Sequence, residues 1–224
     1  EFLRETARIM RGRGAGDLGH VLDLPAQPPQ WQHFPDRRHD LLTRVGFTVM
    51  RETLRFAWNA HDPLPTHPER LTYRSVAEAG EEAFLEALER VSTGSLDQRD
   101  QAERAEYGAR QAARNLLGLL QGLEYDPEWW QLGYTRTGDL VGLVLPAGTP
   151  RWGTIGYIGV VPEQRGRGSI DDLLARGTRV LATGGVVRIE ADTDVANVPM
   201  ANAFRRGGYT QFARRHEYQW RNAP

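Results

Sequence analysis

The stretch GTIGYIGVVPEQRGRGSIDDLL, residues 153 to 174, changes character twice within a few positions. Its run to Val161 reads as a buried strand, because apart from Thr154 the residues of both parities are hydrophobic or glycine and leave no polar face. Pro162 cannot donate to a sheet ladder and ends the run. Gly166 and Gly168 open backbone conformations closed to other residues and let a ligand approach the main chain. From Ile170 onward Leu173, Leu174 and Leu181 recur at helical spacing. A chain built around such a strand–glycine–helix junction layers helices on a sheet, which sets the class as α/β or α+β. The first turn of the helix offers unpaired N–H groups and a positive dipole end, and Arg165 and Arg167 add charge, so the junction is suited to an anion. The plainer reading is a tight turn with solvated arginines. The loop lacks the Walker GxxxxGK[ST] pattern and the three spaced glycines of a dinucleotide loop.

The rest of the chain supplies a consistent series of elements. Residues 1–58 hold a loose Gly/Pro/Arg-rich stretch, then DLLTRVGF as a helix end and TVMRETLRFAW as a long strand or strand pair. NAHDPLPTHPE, residues 59–69, has three prolines and no periodicity, and reads as a linker. Beyond it RLTYRSV reads as a strand, AEAGEEAFLEALERV as one amphipathic helix and QAERAEYGARQAARNLLGLLQGL as a second, longer one. WWQLGYTRTGDLVGLVLPA has a hairpin pattern turning at RTGD. GTIGYIGVV, the helix from Ile170, the strand VVRIEA, the short helix in NVPMANAFRRGGY and the closing strand or strands TQFARRHEYQW follow. Residues 70–224 therefore form one domain with the order β-α-α-β-β-β-α-β-α-β.

Two segment endings echo each other. Arg44, Gly46, Thr48 and Trp58 stand 162 positions before Arg206, Gly208, Thr210 and Trp220. Phe47 with Tyr209 and Phe56 with Tyr218 are conservative pairs at the same offset. A fixed offset about one domain long points to duplication, residues 1–58 being the degenerate or truncated copy, against chance similarity of two helix–strand endings. The chain opens on Glu-Phe rather than Met, as a processed start with residues missing upstream would.

Composition removes several classes. With no cysteine, disulfides, thiolate metal sites and a Cys nucleophile are excluded. All 28 basic residues are Arg, so no lysine can act as a base or Schiff-base former. A net charge of −1 argues against a general nucleic-acid binder, so any phosphate site is local. No apolar stretch is long enough to span a bilayer or serve as a signal, which fits a cytoplasmic protein with no membrane contact.

The loop and a second motif together carry a family resemblance. RGRGSI places Arg165 and Gly168 in register with R/Q-x-x-G-x-G/A after a strand. NVPMANAFRRGGY places Asn197, Arg206, Gly208 and Tyr209 where N-x-x-A-x-x-L-Y-x-K-x-G-F has the same or similar residues. With the element order, residues 66–224 resemble the GNAT superfamily of acyl-CoA N-acyltransferases, a central mixed, mostly antiparallel sheet flanked by helices. The resemblance implies acetyl-CoA as co-substrate, no metal, and a small-molecule or peptide amine as acceptor, with a homodimer left open.

It also implies roles. The pantetheine arm would pair with Ile158, Gly159 and Val160, the Val160 N–H acting as oxyanion donor. The pyrophosphate would rest on the amides of Gly166, Arg167, Gly168, Ser169, Ile170 and Asp171, with Arg165 adding charge. Asn197 would bond the pantetheine arm, or cap the helix that holds Pro199 in its first turn. Asp192 occupies a position where some relatives carry a catalytic carboxylate, Asp194 and Glu190 being weaker candidates; the plainer reading is a polar strand end. Two departures stand out. Ile170 replaces a small residue, and Phe204, expected against the cofactor, replaces a Tyr that protonates the thiolate. Thr154 stands where other relatives carry a glutamate base. Tyr157 and His216 are better explained by packing and by exposure, and Trp129 and Trp130 by the core. RGRGAG near Arg11 has no apolar strand before it, so the first segment is expected to bind no CoA.

Overall fold

A computed structural model of the chain describes residues 2–66, 70–149 and 151–221. They fall into two compact units, Glu1–Arg55 with Phe212–Pro224, and Phe56–Gln211.

The first unit begins with α1 (Phe2–Gly12), β1 (Asp17–Leu24), α2 (Pro35–Arg44) and most of β2 (Thr48–Asn59). α1 and β1 lie in the stretch read as loose, and the reason is that neither is set locally. α1 buries only Ala7. β1 is a strand because all its residues pair antiparallel with β8 (Thr210–Arg221), from Asp17 opposite Arg221 to Leu24 opposite Arg214. The strands of this unit run in the order β1-β8-β2. Leu22, Leu42, Phe47, Tyr218 and Trp220 form its core.

The second unit continues with β3 (Thr72–Ser75), α3 (Val76–Ala79), α4 (Glu81–Val91), α5 (Gln98–Tyr107) and α6 (Ala109–Gln121). Two helices were expected here and four are present, because each reading ran through a glycine with positive φ: Gly80 at 80° and Gly108 at 79°. A left-handed residue cannot continue a right-handed helix. Asp97 starts α5 by accepting the N–H groups of Arg99 and Asp100. The hairpin follows as β4 (Gln131–Tyr134) and β5 (Leu140–Gly148), then β6 (Gly153–Val160), α7 (Ser169–Thr183), β7 (Arg188–Asp194) and α8 (Val198–Arg206).

The strands of this unit run β7-β6-β5-β4-β3, antiparallel except for β6 with β7. The described residues thus hold eight mostly antiparallel strands flanked by helices. Phe84, Leu88, Leu117, Leu132, Leu143 and Leu145 close the core of the second unit around Trp130. Trp130 stacks on Tyr125 and donates its indole N–H to the Pro146 carbonyl, and Trp129 packs against the same cluster. In the segment read as a linker, Trp58 Nε1 donates to the Pro63 carbonyl and Ala60 N–H to that of Val187; residues 67–69 lie outside the described residues.

The echo in the sequence is an echo of elements. α1-β1-α2-β2 has the order of α7-β7-α8-β8. The two helix ends make the same bonds: Gly46 N–H to Thr43 and Phe47 N–H to Leu42, Gly208 N–H to Arg205 and Tyr209 N–H to Phe204. Both glycines have positive φ, 95° and 79°.

Candidate functional site

β6 pairs with β5 over its whole length but with β7 only at Gly153–Ile189 and Thr154–Glu190. The two parallel strands part beyond that point, leaving an edge of β6 open from its middle to its end. A β-bulge lies where they part. Leu145 faces Tyr157 and Pro146 faces Ile155, so Gly156 is the extra residue. Only glycine fits there, since a Cβ at 156 would stand 2.8 Å from Leu120 and 3.0 Å from the Leu145 carbonyl. The bulge resets the side-chain alternation. Ile155 lies against Gly177 of α7, whereas Tyr157 joins the cluster under α4 and α6.

Hydrogen-bond parity decides which groups the open edge presents. Val161 N–H donates to Val141 of β5. In an antiparallel pair the N–H and C=O of one residue point the same way and those of the next point oppositely. Val160 and Ile158 therefore turn their polar groups to the parted edge, and Gly159 turns its own toward β5. Arg165 Nε takes the Val160 carbonyl at 3.1 Å, which leaves the Val160 N–H as the donor of that residue on the edge.

The loop that follows brings a helix start beside this edge. Pro162–Gln164 forms one 3₁₀ turn, and Gly166 and Gly168 both have φ of 76°. A Cβ at Gly166 would meet nothing within 4 Å, so the main chain there is open to a ligand. α7 has no side-chain cap. Asp171 N–H bonds the Gly168 carbonyl, so the uncommitted amides lie before it. Arg165 spends its guanidinium on Val160, Gly94, Val91 and Thr93 carbonyls, stapling the loop to the end of α4. Arg167, exposed, donates to Gln164. Both acids of the first turn are paired, Asp171 with Arg206 at 2.7 Å and buried Asp172 with Arg70 at 2.6 Å. Arg70 also donates to the Arg167 and Gly168 carbonyls and so fixes the back of the loop.

No family model matches the chain. Among solved structures, the chain is similar to a GCN5-related N-acetyltransferase from Sphaerobacter thermophilus, with TM-score 0.66 and 24% identity over 93% of this chain and 60% of that one. It is similar to a tandem GNAT protein of the clavulanic acid biosynthesis pathway, with TM-score 0.60 and 16% identity over 99% of this chain and 69% of that one. A GCN5-related N-acetyltransferase from Kribbella flavida gives 0.60 and 16% over 99% and 76%. The chain has the fold of the GCN5-related N-acetyltransferases. By sequence it is 26% identical, over 183 residues, to a mycothiol acetyltransferase from Arthrobacter sp. (strain FB24), covering 77% of this chain. It spans about half, 54%, of that relative's length.

Within this N-acetyltransferase fold the predicted site residues divide into groups. Ile158, Gly159 and Val160 form the parted edge, and Gly166 to Ile170 form the loop and helix start. Of the acids on β7, Glu190 is buried and bonded to Arg188, and Asp194 is buried and accepts the Gln98 N–H of α5. Asp192 lies between them on the same face and is exposed. Asn197 caps α8 through Oδ1 to Met200 N–H, which commits only its oxygen. Phe204 is buried, its ring stacked on Phe56 at 5.1 Å and tilted against Tyr209 at 5.3 Å. His216 sits in the other unit, 3.4 Å from Glu52.

Three contributors had no signal in the sequence. Arg70 reaches Asp172 across 102 positions. Asp100, in the first turn of α5, meets Tyr157 across 57 positions and is itself held by Ser95: Asp100 Oδ2 accepts the Tyr157 hydroxyl at 2.8 Å and that of Ser95 at 2.7 Å. Burial, and then the Asp100 charge, push the Tyr157 phenol well above its usual range, so it is held neutral. Among the described residues, no group of three or more His, Asp or Glu is placed to hold a metal, and no helix is long and apolar enough to cross a membrane.

Proposed function

We propose that the protein is a cytoplasmic N-acetyltransferase that moves the acetyl group of acetyl-CoA to a primary amine by direct attack. The observation that carries this reading is the open β6 edge running into an uncapped, glycine-flanked helix start. The edge suits an amide-bearing arm, and the helix start suits a pyrophosphate. Ile158 and Val160 would bond the pantetheine arm, with Asn197 Nδ2 as a further donor. The amides from Gly166 to Ile170 would cradle the phosphates, with Arg167 adding charge. Arg165 contributes by holding the loop in shape.

The chemistry follows from the edge. A neutral amine attacks the thioester carbon, and the carbonyl electron pair moves to oxygen, where the Val160 N–H meets it. Collapse of that intermediate breaks the C–S bond, and the amine proton passes to Asp192, the exposed carboxylate of β7. The thiolate takes its proton from solvent, since Phe204 carries no hydroxyl.

That same Phe204 favours a second reading, a non-catalytic acyl-CoA-binding module. Calorimetric titration with acetyl-CoA, with NAD and free adenine nucleotides as controls, tests what both readings share. Micromolar binding selective for acetyl-CoA is expected, and its absence removes both. Thiol release in a primary-amine screen then separates them: turnover supports the transferase, and binding without turnover supports the module. The name of the curated relative puts mycothiol-type acceptors in that screen.

A further inference from the structure

Tyr157 stands on β6 just after the bulge, and its side chain lies on the face of the sheet that Asp192 and Asp194 share. Its hydroxyl donates to Asp100 Oδ2 at 2.8 Å. Ser95 Oγ donates to the same oxygen and anchors the carboxylate from the other side. The first turn of α5, which carries Asp100, is tied to β7 by the 2.7 Å bond from Gln98 N–H to Asp194. One helix start is thus bonded both to the Tyr157 phenol of β6 and to Asp194 of β7. Tyr157 packs against the core cluster and keeps only part of its surface exposed, as does Asp100.

A phenol has one hydrogen and accepting lone pairs. With that hydrogen committed to Asp100, what Tyr157 offers a ligand is an acceptor, backed by a carboxylate. The phenol also stays neutral, held so by burial and by Asp100, and so keeps this polarity. A hydroxyl free to rotate would serve donors and acceptors alike; this one serves a donor, and favours a cationic one.

We infer that Tyr157, oriented by Asp100, is the specificity-determining residue that receives the acceptor amine, and that it does so while the amine is still in its ammonium form. Tyr157 touches the substrate nitrogen, and Asp100 is a positioning residue acting through the phenol. The bound ammonium gives its first proton to solvent to become the neutral nucleophile, and Asp192 remains the group that takes the second as the intermediate collapses. This assignment rests on the transferase reading and deepens it.

The test is steady-state kinetics with acetyl-CoA and glucosamine, spermidine and phenethylamine as probe amines, against glucose and phenethyl alcohol. Wild type, Tyr157→Phe and Asp100→Asn are compared, with the acetyl-CoA Kd of each measured calorimetrically and folding checked by thermal unfolding. The amines are expected to react and the alcohols not to. Tyr157→Phe is expected to raise the amine KM about tenfold while kcat stays within about threefold and the acetyl-CoA Kd is unchanged, the loss of one hydrogen bond to a charged partner. Asp100→Asn gives the same split and serves if the phenylalanine variant does not fold. Unchanged amine KM in a folded variant overturns the inference, as do equal rates with the alcohols. Acetyl-CoA binding with no probe amine acetylated overturns it too. Failure of wild type to bind acetyl-CoA is a different result, and removes the underlying reading.

Discussion

At the scale of single residues the parted edge depends on places where no side chain fits. A Cβ on Gly159 would lie 2.2 Å from Val91 Cγ1, and one on Gly142, opposite Val160, would lie 2.1 Å from the Gly159 carbonyl oxygen. Gly159 and Gly142 therefore let α4 and β5 approach β6 closely. Gly159→Ala is expected to cost about 1–3 kcal/mol by overpacking, and Val91→Ala in the same chain should recover part of it, because the clash is with that side chain. Urea unfolding of the two single variants and the double variant checks the coupling. Arg165 makes a contrasting case. Arg165→Ala strips four carbonyls of their donor and is expected to destabilise the protein by about 2 kcal/mol, and Lys is not expected to replace it, since an ammonium cannot span the carbonyl set of a planar fork. If unfolding is unchanged and only acetyl-CoA binding falls, Arg165 serves the phosphate directly. The arginine was legible as a loop residue; its partners were not, because Val91, Thr93 and Gly94 come from a helix end more than seventy positions away.

At the scale of elements, helix starts do much of the positioning. Asp97 caps α5, the helix that carries Asp100 to Tyr157. Asp97→Ala is expected to lower stability by about 1 kcal/mol and to raise the amine KM more than the acetyl-CoA Kd, since the cap lies on the acceptor side. Equal effects on both substrates would show that α5 supports the whole cleft. Periodicity alone joined α3 to α4 and α5 to α6, and left-handed glycines at 80 and 108 divide them. Those glycines were visible in the sequence, but a mid-pattern glycine is also tolerated in a helix, so only the backbone geometry decides. The repeated endings show a further exchange. Trp220, the last residue of the second echo, lies against Gly46 of the first, 3.3 Å from where its Cβ would be. Trp58, the last residue of the first echo, bonds Pro63, whose oxygen is the nearest neighbour of Gly208 in the second. Trp220 thus lies beside the glycine of the other ending directly, and Trp58 reaches its counterpart through the Pro63 carbonyl.

At the scale of the whole molecule the tyrosines set the alkaline limit. Burial, and then the charge of Asp172, push Tyr73 up to about 12; burial and Asp100 push Tyr157 up, and burial raises Tyr209. The folded state holds these protons more tightly than the unfolded chain, whose phenols titrate near 10. Stability from this source is complete below about pH 10 and falls as pH rises toward 12, because unfolding then releases protons. Denaturant midpoints measured from pH 8 to 11.5 should drop above pH 10. Tyr209→Phe should flatten that drop, and an unchanged slope in it would mean the phenol is not protected. The class of fold, the order of its elements from the hairpin at residue 131 onward and the loop that faces the parted strands follow from local patterns: a two-residue period, a helical period, and glycines at a junction. These are set by each residue's own conformational preferences and can be read along the chain. The β1–β8 pairing, the stapling of the loop by Arg165 and Arg70, the burial of Phe204 and the meeting of Tyr157 with Asp100 were decided only by the tertiary structure. Each joins segments far apart in sequence, and nothing in the local preferences of one segment specifies which distant partner will satisfy its hydrogen bonds and cover its apolar face.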